Sequence, residues 1–168
     1  MAGPKRVLIY RLGSLGDHLV ALPAYRLVRR AFPGAEIKLL TNIPISGKAA
    51  AAEAVLEGCG LVDGYVAYGV GERSVGALLK LWWTLLRWRP DVAVYLMGAR
   101  GVKVAHRDSL FLRACGVRRL VGVPLTEEMQ QNLPLGKRTL GAMVTTWYEQ
   151  EGERLARCIR ELGDAAVE

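Results

Sequence analysis

Cysteine is scarce in this chain of 168 residues, and the three that occur, Cys59, Cys115 and Cys158, are far apart. Their number and spacing match neither a disulfide framework nor a set of metal ligands. We therefore expect no disulfide and no metal, and the cysteine usage favours a reducing, cytoplasmic environment.

Long apolar runs are missing as well. Only four apolar residues separate Arg6 from Arg11, which is too short for the core of a signal peptide. No other stretch is long enough to span a bilayer, and we find no internal repeat or low-complexity segment. The sequence thus predicts a cytoplasmic protein that could still associate with the inner face of the membrane at its periphery.

The composition is that of a globular domain, with 51% hydrophobic and 23% charged residues. The length fits one domain, or one domain with a tail. A net charge of +7 favours an anionic partner: a phosphorylated ligand, an acidic membrane face or nucleic acid. A basic surface that only aids solubility explains the charge equally well. Nucleic acid is the least favoured partner, because the chain shows neither a strand of stacking aromatics nor a basic helix suited to reading bases.

Strand and helix patterns alternate along the chain. Short apolar segments predict strands at residues 5–10, 36–41, 61–68, 92–96 and 118–121. Helical periodicity and end signals predict helices at residues 17–31 (kinked at Pro23), 46–57, 74–88, 104–114 and 146–162. Residues 123–145 show no clear period and are predicted to be mostly loop. The alternation favours an α/β fold with a doubly wound, mostly parallel, Rossmann-like sheet and helices on both faces.

The turn between the first strand and the first helix carries the main candidate site. Gly13 and Gly16 allow a tight turn, and Asp17 stands where the helix begins. In an open α/β sheet, such a turn lies at the edge where ligands bind. Asp17 is therefore either the helix N-cap or a reacting group, and both roles are compatible. Ser14 and the two glycines could contact a ligand or serve only the turn.

Cations follow two of the predicted strands near the same edge. Arg11 could pair with an acidic ligand or with Asp17 itself. Arg100 and Lys103 could bind an anion together with His106 and Arg107, or could simply be the solvated start of a helix. The candidate ligand-binding residues are thus Arg11, Gly13, Ser14, Gly16, Arg100 and Lys103.

The helix predicted at residues 74–88 is rich in tryptophan. With a rotation of about 100° per residue, a face centred on Trp82 is predicted to be buried and comprises Val75, Leu78, Leu79, Leu85 and Leu86. The predicted flanks are Leu81, Trp83 and Trp88, beside a polar strip of Lys80, Thr84 and Arg87. Tryptophan beside cations is typical of a membrane-surface contact. The alternative is that loops or a neighbouring subunit cover these rings.

Three motifs near the N-terminus resemble a known family. They are Arg11-Leu-Gly-Ser-Leu-Gly-Asp17, Ala21-Leu-Pro23, and Leu27-Val-Arg-Arg-Ala-Phe-Pro33-Gly-Ala-Glu-Ile37. Together they look like the opening of glycosyltransferase family nine, the heptosyltransferase-like enzymes of lipopolysaccharide assembly. The resemblance covers residues 5–41 and extends more loosely to Gly122 and the final helix. There, Gln150 stands where the family often has a histidine.

The resemblance implies the GT-B architecture, in which two Rossmann-like domains face each other across a cleft. Residues 1–145 would be the acceptor-binding domain, and residues 146–168 the inter-domain helix and a linker. The donor-binding domain would lie beyond this chain, as an excised part or as a separate partner chain. This chain alone would then be inactive.

The same resemblance implies that Asp17 is the general base of an inverting transfer. A heptose-type sugar would pass from a nucleotide-sugar donor to a lipid-linked or other glycan acceptor, without a metal or other cofactor. Two alternatives remain at this stage. One is a non-catalytic module that binds a sugar or nucleotide, and the other is a basic α/β protein that binds nucleic acid or an anionic membrane.

Overall fold

A five-stranded parallel sheet forms the centre of the computed structural model, which describes residues 3–43, 51–69, 74–140 and 143–163. The sheet strands are β1 (Arg6–Tyr10), β2 (Glu36–Ile43), β3 (Gly64–Gly69), β4 (Val92–Tyr95) and β5 (Arg119–Val121). They lie in the order β3-β2-β1-β4-β5, and every neighbouring pair is parallel. The predicted α/β fold class is therefore confirmed.

Helices cover both faces of this sheet. They are α1 (Leu15–Val20), α2 (Leu22–Ala31), α3 (Ala51–Leu56), α4 (Val75–Trp88), α5 (Val102–Ala114), α6 (Glu127–Gln130) and α7 (Glu151–Cys158), followed by a 3-10 turn at Arg160–Leu162. One core cluster joins β1 and β4 to α2, α3 and α7, and the other joins them to α4 and α5. Because both faces are covered, Val7, Leu8 and Ile9 of β1 are all fully buried, which explains the continuous apolar run there.

The order of the strands positions the candidate site. From β1, the chain first adds β2 and β3 on one side and then returns to add β4 and β5 on the other. The crevice of such a sheet opens at the carboxyl ends of the two strands where the direction changes, here β1 and β4. Residues that follow Tyr10 and Tyr95 therefore lie at its lip.

The helix predicted at residues 17–31 is in fact two helices, α1 and α2, which meet at Ala21. Pro23 lies in the first turn of α2. A proline is tolerated there because the backbone N–H that it lacks has no partner within the helix at that position. The residue predicted to kink one helix thus stands at the start of a second.

The prediction of loop at residues 123–145 is wrong. The segment contains α6 and most of an antiparallel hairpin, formed by β6 (Pro134–Leu140) and β7 (Met143–Tyr148). The last helix accordingly begins at Glu151 and not at Thr146. Every residue of β7 is exposed, so the sequence has no alternation of buried and exposed residues to reveal the strand.

Two predictions fall partly outside the described residues. The helix predicted at residues 46–57 is described only at Ala51–Leu56, because residues 44–50 are not described. Of the predicted linker that ends the chain, only Gly163 is described.

The buried face of α4 differs from the predicted one. Leu85 is buried as predicted. Leu81, which was predicted to lie on a flank, is buried as well, whereas Val75, Leu78 and Leu79 are 70%, 41% and 58% exposed. Because apolar residues surround almost the whole circumference of this helix, periodicity could not identify the face that packs on the sheet. Across the described ranges, no helix combines the length and apolar character that crossing a bilayer requires.

Candidate functional site

The turn after β1 holds Asp17 by two hydrogen bonds. Ser14 is the N-cap of α1, and Asp17 is the third helical residue. Its Oδ2 accepts a hydrogen bond from the Ser14 backbone N–H at 2.6 Å and another from the Ser14 hydroxyl at 2.8 Å. The prediction that Asp17 is the N-cap is therefore wrong in position. Ser14 is the N-cap, and the Asp17 side chain bonds back to Ser14, as in a capping box.

Gly13 makes room for this arrangement. A Cβ atom at Gly13 would lie 2.5 Å from the Cβ of Asp17, so a side chain there would displace the carboxylate. The Gly13 N–H donates to Oδ1 of Asn42 at 2.7 Å, which ties the turn to the end of β2. At Gly16, by contrast, the nearest atom to an added Cβ is 4.0 Å away. The two glycines of the motif thus have different roles.

Arg11 lies beneath the turn and is only 1% exposed. Its Nη1 donates to the Leu96 carbonyl at 2.5 Å, and its Nη2 donates to the Asp17 carbonyl at 2.9 Å. Nη2 also lies 3.6 Å from Oδ1 of Asp17. These contacts show Arg11 paired with Asp17, which is one of its two predicted roles, and the binding of an acidic ligand by Arg11 stays a prediction.

A second buried arginine extends this charge network. Arg154 of α7 is fully buried, and its Nε and Nη2 each bind a different carboxylate oxygen of Glu151 at 2.7 Å. Nη2 also donates to the Met97 carbonyl at 3.0 Å, and Oε1 of Glu151 lies 3.9 Å from Nη1 of Arg11. Charges therefore alternate in sign from Asp17 through Arg11 and Glu151 to Arg154.

Glu151 and Arg154 are not among the residues that were predicted to form the site. Their three-residue spacing on a helix is a signal of pairing, but many such pairs lie on the surface. What the spacing could not show is that α7 packs at the carboxyl end of β4, where Arg154 becomes buried.

The hydrogen bonds of Asp17 set its ionisation. Burial raises the pKa of this carboxyl, but the two hydrogen bonds from Ser14 and the charge of Arg11 outweigh that effect and lower the pKa overall. The side chain is 47% exposed. Asp17 is therefore an ionised carboxylate at neutral pH. No hydrogen bond to its Oδ1 is found within the described residues, which leaves that atom able to accept a proton.

His18, the neighbour of Asp17, points into the core. Its Nδ1 is 2.8 Å from the Tyr25 hydroxyl and its Nε2 is 3.4 Å from the Thr41 hydroxyl. Burial, together with the nearby charge of Arg11, lowers the pKa of His18 to about 4. The imidazole is thus neutral and supports α1 from below.

Arg100 and Lys103 are exposed near the start of α5, at the same edge of the sheet. The backbone N–H groups of Arg100 and Gly101 donate to Oε1 of Gln130, each at 3.1 Å. Arg107 pairs with Asp108 at 2.8 Å. None of the contacts found among the described residues joins these cations to Asp17, so their role in ligand binding stays a prediction.

Two cavities flank α1. One, of about 510 Å³, lies between α1, the β6–β7 hairpin and α7, and the other, of about 590 Å³, lies between α1, α2 and α3. Asp17 lines neither of them, and its side chain is half-exposed at the lip of the sheet. Across the described ranges, no three His, Cys, Asp or Glu side chains come together as a metal site would require.

Comparison with known proteins finds a similarity at the level of the backbone. No protein-family model matches the chain, and no curated protein matches it. Among solved structures, the crystal structure of the glycosyl transferase family 9 from Veillonella parvula DSM 2008 is similar to 69% of this chain, with 16% sequence identity and a TM-score of 0.48. The match covers 30% of that protein's chain. A likeness of this degree concerns backbone layout and says nothing about shared chemistry.

Proposed function

We propose that this chain is the acceptor-binding half of a glycosyltransferase, with Asp17 as its general base. The observation that carries the proposal is the position of Asp17, an ionised, half-exposed carboxylate at the carboxyl end of β1. A base at this lip would take the proton from an acceptor hydroxyl while the hydroxyl oxygen attacks the anomeric carbon of the donor. The motifs that surround Asp17 are those that resemble glycosyltransferase family nine.

The ionisation of Asp17 suits a base of this kind. A lowered pKa keeps the carboxylate ready to accept a proton at neutral pH, but it also makes the carboxylate a weak base. A weak base works only within hydrogen-bond reach of a hydroxyl that is already losing its proton to bond formation. The contacts from Ser14 and Arg11 fix the carboxylate, as that requirement demands.

A single displacement, which inverts the anomeric centre, needs one base. Retention through a covalent intermediate would need a second carboxylate as nucleophile. Glu151 is the other carboxylate in the charge network, and both of its oxygens are bound by Arg154. This supports an inverting reaction.

The donor would be a nucleotide-sugar, with a heptose-type sugar suggested by the family resemblance. The half-exposed carboxylate of Asp17 is compatible with a cleft that a second, donor-binding lobe completes. That lobe would bind the donor's phosphates. The acceptor would be a lipopolysaccharide-like or other glycan.

A non-catalytic sugar- or nucleotide-binding module is the second candidate. The observation in its favour is that the hydrogen bonds from Ser14 to Oδ2 explain Asp17 as part of a helix cap without any chemistry. Such a module would bind a sugar at the same lip but would show no transfer.

The test is Asp17→Asn in the enzyme assembled from this chain and a donor-binding domain, assayed with a panel of nucleotide-sugars and glycan acceptors. We expect turnover to fall by roughly 10²–10⁴-fold, while the circular dichroism spectrum and Tm stay close to those of the wild type. Glu161→Gln is the matched control, because that carboxylate is 52% exposed and lies outside the site. Near-normal turnover of Asp17→Asn would remove Asp17 as the base. If the wild type binds a sugar but transfers none, the module without catalysis is the better description.

A further inference from the structure

The outward face of α4 and α5 combines exposed apolar side chains with basic ones. Both helices pack on the same face of the sheet, through Leu81, Leu85 and Leu112. The sides opposite these leucines therefore point away from the protein. We call the surface that they form the α4–α5 face, and we define it by Leu79, Trp83, Lys80 and Arg87 of α4 with Leu110, Lys103 and Arg113 of α5.

The apolar part of this face consists of three strongly exposed side chains. Leu79 is 58% exposed, Trp83 is 54% exposed and Leu110 is 69% exposed. On a helical wheel, Trp83 lies directly opposite the buried pair Leu81 and Leu85. Isolated exposed leucines are common, but here a tryptophan and two leucines occupy outward positions of two helices that pack on the same face of the sheet.

The exposed charged side chains of the two helices are all basic. Over Val75–Trp88 and Val102–Ala114 the cationic side chains are Lys80, Arg87, Lys103, Arg107 and Arg113. The carboxylate within these two helices is Asp108, which is 6% exposed and accepts hydrogen bonds from Tyr95 and Arg107. An approaching surface therefore meets cations around an apolar centre and no exposed acid from either helix.

The other tryptophans of α4 do not belong to this face. The Trp88 indole N–H donates to Oε2 of Glu36, and its ring lies under the Lys38 ammonium. The Trp82 indole N–H donates to the Ala114 carbonyl and so links α4 to α5. For Trp88 the sequence left two alternatives, a membrane contact or cover by other parts of the protein, and these contacts place its ring against β2.

We infer that the α4–α5 face binds the surface of an anionic lipid bilayer. Tryptophan and leucine at the outermost positions would enter the boundary between headgroups and acyl chains, and the surrounding lysine and arginine side chains would contact lipid phosphates. The charge complementarity favours this occupant over a second copy of the chain, because two copies of a uniformly basic face repel each other. The apolar centre favours a bilayer over nucleic acid, whose backbone offers only phosphates to bind. The inference does not depend on Asp17.

The test uses flotation of the full chain with vesicles, either of phosphatidylcholine alone or with roughly one-third phosphatidylglycerol. We expect binding to the anionic vesicles that weakens as salt rises from about 50 mM to about 500 mM. The apolar variant Leu79→Ser with Trp83→Ser should bind at least about tenfold more weakly, and so should the charge variant Lys80→Glu with Arg87→Glu. All four positions are exposed, so the variants keep the core intact.

The control variants change the same residue types elsewhere. Leu135→Ser with Trp147→Ser replaces a leucine and a tryptophan that are 57% and 46% exposed on the hairpin. Arg26→Glu with Lys137→Glu repeats the charge change at other exposed positions. Both controls should bind as the wild type does. Equal losses in the control and test variants would overturn the inference. So would equal binding to neutral vesicles, a concentration-dependent dimer that the apolar variant abolishes, or duplex DNA bound as tightly as the anionic vesicles.

Discussion

The position of the Asp17 side chain depends on Gly13, which has no side chain of its own. The carboxylate folds back toward Ser14 across the space that a Cβ atom at Gly13 would occupy. Arg11 then fixes the turn from below through the Leu96 and Asp17 carbonyls. The first glycine of the motif is thus a packing requirement, and the second, Gly16, is not.

Gly13→Ala and Gly16→Ala should have opposite effects on the free energy of unfolding. Gly13→Ala pushes the Asp17 side chain away, and we expect it to lower the free energy of unfolding by roughly 1–3 kcal/mol and to reduce any activity that needs Asp17. Gly16→Ala adds a methyl group into open space on a helix and should raise stability by up to about 1 kcal/mol. Chemical denaturation of the two variants checks this prediction. Equal stabilities would contradict the close approach at Gly13.

Buried arginines are the part of the site that sequence could not reveal. Arg11 and Arg154 are 1% and 0% exposed, although arginine is normally a surface residue. Each donates to a carbonyl group that follows β4 and pairs with a carboxylate of the network, although the Nε of Arg11 has no hydrogen-bond partner among the described residues. These carbonyl and carboxylate partners come together only after the sheet has formed, so no local sequence pattern predicts that the arginines are buried.

At the scale of elements, α7 holds the charge network against α1. Gly152 is the contact point, because a Cβ atom there would lie 2.9 Å from the Val20 carbonyl oxygen. The close approach lets Glu151 and Arg154 reach the end of β4 and the region of Arg11. Separation of α7 from α1 would therefore disturb Asp17 indirectly.

Gly152→Ala should destabilise the protein, because the added methyl group meets backbone that cannot easily move. We expect Tm to fall by several degrees, about 2–8 °C. Gly76→Ala is the matched control: it is also the second residue of its helix, and an added Cβ there meets only the Ser74 hydroxyl at 3.6 Å. Thermal unfolding followed by circular dichroism decides between them. A Tm drop of the same size in both variants would show that helix packing at Gly152 is not the cause.

The Trp-rich helix shows where pattern reasoning fails for an element. Its ends were predicted well, since Ser74 is the N-cap and the helix ends at Trp88. Its orientation was not, because leucine and tryptophan occupy positions all around it. Only the neighbouring strands and α5 decide that Leu81 and Leu85 face inward.

At the scale of the whole molecule, the sheet could be predicted and the hairpin could not. The central strands β1 and β4 are buried on both faces, so they appear in the sequence as short apolar runs between helices. The side chains of β7 are all exposed, so that strand leaves no such signal. The position of Asp17 at the lip of the sheet could be predicted, because the turn that follows the first strand lies at the carboxyl edge of any such parallel sheet.

Stability should fall as the pH decreases from neutral, and His18 should contribute to that fall. Its pKa is lowered from 6.5 to about 4 in the folded protein, so between these values the unfolded chain binds a proton that the folded one does not. The free energy of unfolding therefore rises with pH through this window, and His18 contributes a loss of about 2 kcal/mol between pH 7 and pH 4.5.

The measurement is urea denaturation of the wild type and His18→Gln across that range. The variant should be less stable at pH 7 but should lose less stability on acidification, while carboxylates contribute to the slope in both proteins. His106→Gln, a change at an exposed histidine, should keep the wild-type slope because His18 is intact in it. A slope in His18→Gln equal to that of the wild type would refute the prediction.

Two hydrogen bonds join the two strands of the chain at the base of the hairpin. The Glu149 backbone N–H donates to the Leu133 carbonyl at 2.8 Å, and the Asn132 side-chain amide donates to the Glu149 carbonyl at 2.6 Å. The two points where the hairpin leaves and rejoins the fold are therefore already adjacent. It follows that residues 134–148 form a graft site: a different peptide could be spliced there, or a short turn could replace the segment, without rerouting the rest of the backbone.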